Sequence, residues 1–188
     1  MADADRSVFG LICAAALMMP ATVVVAADYL TIDAAQKSIF PSADSFEPVV
    51  FALTAEQRSA IAALAGSQPP HGALRVWKAM KDGMPQGFVL FDEVIGRSDL
   101  ITYAIGVGTD GALTTVEILS YRESHGAEIR NAAWRRQFAN RHDLSELEFR
   151  TDIKNISGAT LSSEHVTQGV RWLLALWETV LRESPSHS

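Results

Sequence analysis

Residues 100–121 read LITYAIGVGTDGALTTVEILSY, and this stretch decides the expected fold. Its two halves, residues 100–107 and 113–121, are rich in the β-branched and aromatic residues that strands favour. Asp110-Gly111 lies between them and is typical of a tight turn. We therefore predict an antiparallel hairpin in the middle of the chain.

Two further β-type runs precede this hairpin, at residues 74–78 and 87–95, with a predicted turn over residues 83–86. Two helical patterns follow it, at about residues 128–140 and 164–182. Strands that come together along the chain, with helices around them, are typical of an α+β fold. We predict an antiparallel sheet with flanking helices.

The chain before the sheet is predicted to be mainly helical. Residues 28–51 contain a short helical segment followed by a turn near Pro41 and Pro48. A capping-box pattern at Thr54 then starts a second short helix, which ends at Gly66.

Pro69-Pro70 breaks the chain after this helix and is the best candidate for a domain boundary. The predicted organisation is a helical segment over residues 28–70, a main domain over residues 71–183 and a polar tail over residues 184–188.

The N-terminus carries an uncharged apolar run over residues 8–25, followed by small residues that suit signal-peptidase cleavage before Asp28. We predict that residues 1–27 are a signal peptide and that the protein is exported, for example to the periplasm. An uncleaved membrane anchor and a buried N-terminal helix are the alternatives. Cys13 is the one cysteine, so cleavage would leave no thiol in the mature chain.

Composition excludes several classes of function. The net charge is −6 and there is no basic run, which argues against nucleic acid as a partner. The five histidines show no H-x-x-x-H spacing, so we expect no metal site. The chain's G-x-G-x-x-G, at residues 106–111, spans the turn of the predicted hairpin and does not lead from a strand into a helix, so we expect no direct oxidation of NADH.

The sequence SGAT at residues 157–160 carries the most chemical information. Its two small central residues leave space for a bulky group to reach the hydroxyl of Thr160. Ser162 or Ser163 is the expected N-cap of the helix that follows, which places Thr160 just ahead of a helix N-terminus. Free N–H groups there favour an anionic phosphate. The alternative is a loop and cap with no further role.

Residues 121–129 read YRESHGAEI and are followed by Trp134 and Phe138. Together with SGAT they resemble the two signatures of the FMN-binding domain family, over residues 87–181. That family includes the covalent-FMN subunits of the Rnf and sodium-pumping NADH:quinone oxidoreductase complexes, and small exported relatives. The resemblance implies that a flavin transferase esterifies Thr160 with the FMN phosphate.

The resemblance also implies roles for individual residues. Glu123 takes the family's Glu position, where it binds ribityl hydroxyls or organises the loop; a strand-end ion pair with a neighbouring arginine is the alternative. His125 either hydrogen-bonds the isoalloxazine or is exposed. Lys154 stands where the family usually has an acidic residue, which leaves non-covalent FMN open. The implied cofactor-binding residues are Ser157, Gly158, Ala159, Thr160, Leu161, Ser162, Glu123 and His125.

The function implied by the resemblance is electron transfer between a membrane donor and another redox partner, with FMN as the redox group. Two other classes are compatible with the sequence. One is an exported FMN-dependent reductase of a small substrate, and the other is a flavin-free binding domain with the same fold.

Overall fold

The strands form one sheet in which each strand pairs antiparallel with the next along the chain. The computed structural model describes residues 30–67 and 74–182. The strands are β1 Ser45–Pro48, β2 Arg75–Lys81, β3 Met84–Ile95, β4 Leu100–Gly108 and β5 Leu113–Ser120. The α-helices are α1 Ile32–Ile39, α2 Ala55–Ala65, α3 Ala132–Arg135 and α4 Thr160–Leu176. The predicted α+β fold, with an antiparallel sheet and flanking helices, is confirmed.

Both faces of the sheet are covered, because side chains of the central strands alternate between two apolar cores. Leu90 and Val94 of β3 belong to the larger core, which also contains the inner face of α4. Val89 and Phe91 belong to the smaller core beneath α1. A strand buried on both faces reads as a continuous apolar run, as residues 88–91 do.

α4 crosses the sheet very closely at Gly169, where a Cβ would overlap the hydroxyl of Tyr103 on β4. That hydroxyl donates a hydrogen bond of 2.6 Å to Oδ2 of Asp92, and both side chains are buried. Burial, reinforced by the Asp92 carboxylate, raises the pKa of Tyr103 well above its ordinary value. The phenol therefore stays protonated and remains a hydrogen-bond donor.

The helix boundaries of the N-terminal part are set by side-chain caps. Thr54 and Gln57 form the predicted capping box of α2, and Gly66 ends that helix with φ +68°. α1 has a simpler cap, in which the Thr31 side chain accepts a hydrogen bond from the backbone N–H of Ala34.

Two turn predictions near the strands were wrong. The sequence around Pro48 indicated a turn, but Ser45–Pro48 pairs with β2 as β1, and an edge strand tolerates a proline. The turn predicted over residues 83–86 is tighter. Asp82 and Gly83 have φ +50° and +75°, which gives a two-residue hairpin turn and lets β3 begin at once.

The prediction of a single helix over residues 128–140 was also wrong. The segment consists of α3 between two 3₁₀ turns, Ala127–Arg130 and Arg136–Phe138. Asn131 has an extended backbone and its side chain accepts a hydrogen bond from the N–H of Ala133. This local bond ends the first turn and caps α3, because a short polar side chain competes with helical hydrogen bonding.

Several predictions concern parts of the chain outside the described residues. These are the signal peptide over residues 1–27, the Pro69-Pro70 break and the tail over residues 184–188. The division into domains stays a prediction. Among the described residues, no helix is both long enough and apolar enough to span a bilayer. In the same part of the chain, no three His, Cys, Asp or Glu side chains are grouped as a metal ion would require.

Candidate cofactor site

The two sequence motifs meet in one open cleft between the end of the sheet and the start of α4. Its volume is about 280 Å³, near the lower end of the range of small-molecule sites, about 300–1,000 Å³. The lining residues are Arg97, Glu123, Ser124, His125, Gly158, Ala159, Thr160, Leu161 and Ser162. Seven of the eight predicted site residues are among them. Ser157 is exposed and does not line the cleft.

A close contact at Gly126 holds the two motifs together. A Cβ at this position would overlap the Cβ of Ala159 and lie 2.7 Å from the hydroxyl of Tyr121. The φ of Gly126 is +86°, a conformation that side chains with a Cβ rarely adopt. Only glycine therefore lets the loop after β5 approach the attachment motif this closely.

α4 begins at Thr160, earlier than predicted. Ala159 is its N-cap and makes no side-chain hydrogen bond, so the prediction that Ser162 or Ser163 caps the helix was wrong. Both serines lie in the first turn with buried side chains. The first intrahelical bond runs from the N–H of Ser163 to the carbonyl of Ala159. The three N–H groups before it have no partner within the helix.

The hydroxyl groups near this helix start differ in access. Ser163 Oγ is buried, 3.0 Å from the carbonyl oxygens of both Ala159 and Thr160. Ser162 Oγ is also buried and lies 3.4 Å from the Tyr121 hydroxyl. Thr160 is half-buried in the cleft wall, and its hydroxyl has only a long contact of 3.5 Å with Nδ2 of Asn155. Of these three residues, Thr160 therefore has the hydroxyl with the weakest hydrogen bonding to the protein.

Glu123 uses its carboxylate to hold the turn between β3 and β4. Oε1 accepts from the backbone N–H of Ser98 at 2.8 Å and of Asp99 at 3.1 Å, and Oε2 accepts from the Ser98 hydroxyl at 3.0 Å. Burial raises the pKa of Glu123, but these bonds and one from the backbone of Arg97 together lower it below its ordinary value. The carboxylate therefore stays charged at neutral pH.

His125 is exposed at the cleft, and its contacts are local. Its Nδ1 lies 2.9 Å from the hydroxyl of Ser124, and its carbonyl accepts a 2.5 Å hydrogen bond from Tyr121. Burial raises the pKa of Tyr121, the nearby Ser162 hydroxyl lowers it, and the net shift is upward. The Tyr121 hydroxyl therefore stays a donor and fixes the loop that carries His125.

The segment before SGAT is pinned by the second signature. The indole Nε1 of Trp134 donates to the carbonyl of Lys154 at 2.7 Å, and the N–H of Lys154 donates to Gln137 Oε1 at 2.9 Å. Trp134 in turn packs edge-to-face on Phe138 at 5.1 Å. The backbone of Lys154 is thus held in place whichever side chain it carries.

Sequence reasoning missed two lining residues, Arg97 and Ser124. Arg97 belongs to the short polar turn between β3 and β4, which carries no recognisable motif. The adjacent Gly96 is the sequence feature that indicates a close approach of this turn to another part of the chain. A Cβ there would lie 2.5 Å from Glu123 Oε1 and 3.2 Å from Ser162 Oγ, so the turn packs directly against both motifs.

Residues 96–175 match the model of the FMN-binding domain family. The match includes every residue that lines the cleft, and it confirms the resemblance read from the two signatures. The chain therefore contains an FMN-binding domain, and its cofactor is FMN.

One similar protein is a component of the Na(+)-translocating ferredoxin:NAD(+) oxidoreductase complex of Acetobacterium woodii. The two sequences are 25% identical over 156 residues, an alignment that covers 78% of this chain and 73% of that component.

The residues of the cleft suit the phosphate end of FMN. Three N–H groups without a helical partner lie beside the Thr160 hydroxyl, and helix N-termini favour anions. A Cβ at Gly158, where φ is +81°, would meet no heavy atom within 4 Å, so the space beside this residue of the motif is open.

Proposed function

We propose that this protein is an exported electron carrier whose FMN is attached through a phosphoester to Oγ1 of Thr160. The observation that carries the proposal is the position of Thr160 within the FMN-binding domain match. It is the first residue of α4, it lines the cleft, and no side chain caps the helix.

The protein residues bind and orient the cofactor. The free N–H groups of the first turn of α4 bind the phosphate as hydrogen-bond donors and through the positive end of the helix dipole. Gly158, with φ +81°, turns the chain so that Thr160 is reached from solvent. When bound, FMN supplies the capacity to take up and release electrons.

Covalent attachment requires one bond at Thr160. The Oγ1–phosphorus bond forms while the bond from phosphorus to the leaving group of an activated flavin nucleotide, such as a flavin dinucleotide that releases a nucleoside monophosphate, breaks. The hydroxyl proton of Thr160 goes to that leaving group, so the modified protein equals protein plus FMN less one water. We infer that a flavin transferase catalyses this step, because a threonine hydroxyl is weakly nucleophilic by itself and no described residue lies in reach of it as a base. Among those residues, the hydroxyl contacts only the side-chain amide of Asn155.

The partners of this carrier are inferred from its similarity to a component of a redox complex. We propose that it exchanges electrons with a membrane redox protein or another carrier outside the cytoplasm. The apolar run over residues 8–25 supports export. Attachment by a covalent bond suits an exported protein, because a dissociated FMN would not be replaced there.

The test is the intact mass of protein purified after co-expression with a flavin transferase, with flavin fluorescence read after denaturation. We expect a mass increase of one FMN less one water on the peptide that contains Thr160. Thr160→Ala should lose it and stay folded, because a half-buried surface substitution costs little, within about 1 kcal/mol. Thr160→Ser keeps the hydroxyl and should retain flavin.

Ser157→Ala is the matched control, because Ser157 is an exposed hydroxyl residue of the same motif that does not line the cleft. It should be flavinylated like the wild type. Covalent flavin in Thr160→Ala would refute attachment at this residue. An unmodified but yellow wild-type protein would replace covalent with non-covalent FMN.

A further inference from the structure

The carboxylate of Glu123 points into the turn between β3 and β4. It accepts hydrogen bonds from the N–H groups of Ser98 and Asp99 and from the Ser98 hydroxyl. A carboxylate offers about four acceptor positions, and three of them are used within this turn. The geometry therefore supports a role for Glu123 in holding the turn.

Arg97 belongs to this turn and lines the cleft. It is the one Lys or Arg among the described residues that line the cleft. Within the same part of the chain its guanidinium has no hydrogen bond or ion pair, while Glu123 holds the backbone N–H groups of the next two residues, Ser98 and Asp99. The adjacent Gly96 packs against Ser162 in the first turn of α4, so the turn lies next to the attachment motif.

We propose that Glu123 is a positioning residue that holds Arg97 in the cleft as the counter-charge of the reduced flavin. This inference rests on the proposed attachment of FMN in the same cleft. A flavin that takes up electrons gains negative charge, and a nearby cation stabilises that form. Arg97 therefore raises the reduction potential, and Glu123 acts through it.

The experiment measures the reduction potential of flavin-loaded protein by anaerobic redox titration at low ionic strength. The intact mass of each variant is measured first, to establish that it carries one FMN. In Arg97→Gln the equilibrium between reduced and oxidised flavin should shift about fivefold toward the oxidised form. For a two-electron couple, this corresponds to a reduction potential about 20 mV lower. The effect should shrink with added salt, because exposed charges are screened.

Two variants control for charge. Arg97→Lys keeps the cation and should retain most of the potential. Arg136→Gln removes an exposed arginine outside the cleft and should leave the potential unchanged.

Glu123→Ala separates the positioning role from a direct effect, because the two have opposite signs. Loss of a nearby negative charge alone would raise the potential. Release of the turn that holds Arg97 should lower it, by no more than Arg97→Gln does. In the double variant the two changes should not add, since Glu123 then has no Arg97 to position. Faster amide hydrogen exchange at Ser98 and Asp99 should accompany Glu123→Ala.

An unchanged potential in flavin-loaded Arg97→Gln would overturn the role of Arg97. A potential in Glu123→Ala at or above that of the wild type would overturn the positioning role of Glu123. Both results differ from a failure of the proposed function, in which wild-type protein carries no FMN in the first place.

Discussion

Replacing Gly126 with alanine tests the contact that joins the two motifs. Two costs follow from the structure. A residue with a Cβ at φ +86° costs about 1–2 kcal/mol. The new methyl would overlap the Cβ of Ala159 and crowd the Tyr121 hydroxyl, and overpacking of this kind costs about 1–3 kcal/mol. The expected loss of unfolding free energy is therefore about 2–5 kcal/mol, a large part of the total stability of a small domain.

Gly158→Ala is the matched control, because Gly158 has nearly the same φ, +81°, but no heavy atom within 4 Å of a Cβ. It should lose only the conformational part, about 1–2 kcal/mol. Gly83→Ala, at φ +75° in the hairpin turn between β2 and β3, should behave like Gly158→Ala.

The assay is urea unfolding of the three variants and the wild type, with covalent flavin measured on the same preparations. Gly126→Ala should also lower flavin incorporation, since it separates the loop of Glu123 from the attachment motif. If Gly126→Ala were no less stable than Gly158→Ala, the close approach would not be a constraint and the reasoning would fail.

Two further predictions concern stability. The pKa of Glu123 is lowered in the fold, so its charged form stabilises the protein above its ordinary pKa, and this contribution is lost as pH falls through the lowered value. The stability difference between wild type and Glu123→Gln should be constant near neutral pH and shrink in acid, as urea midpoints at a series of pH values would show. Gly169→Ala should destabilise by about 1–3 kcal/mol despite the better helix propensity of alanine, because its Cβ would overlap the Tyr103 hydroxyl. A variant more stable than the wild type in the same assay would contradict the close crossing.

The sheet was predictable because its strands carry their own local patterns and turns. β4 and β5 follow from their β-branched and aromatic residues and from the Asp110-Gly111 turn, and both lie where the sequence indicates. β1 was not predictable, because four residues that end in Pro48 become a strand only through pairing with β2. The interruption of the helix after β5 depends on one hydrogen bond, which the Asn131 side chain accepts from the N–H of Ala133. The sequence does not show whether an asparagine forms this bond or lies within a helix.

The site was predictable as two motifs but not as an arrangement. The SGAT motif identified Thr160, but the cap predicted at the serines after it was wrong, because α4 already begins at Thr160 with Ala159 as its N-cap. Arg97 could not be found in the same way, because it reaches the cleft through long-range contacts of its turn with Glu123. The proposed role of Arg97 depends on its position beside the cleft in the folded protein, and the local sequence does not show this position.

Ala159 is a poor cap for α4, and this has a consequence for protein engineering. Standard stabilisation would replace it with Asp or Ser, which ordinarily improve a helix start by about 1 kcal/mol. Here such a side chain would occupy the donors that face the cleft and press against Gly126. The substitution that optimises the bare helix would compete with the cofactor, so thermostability and flavin loading trade off at this one position.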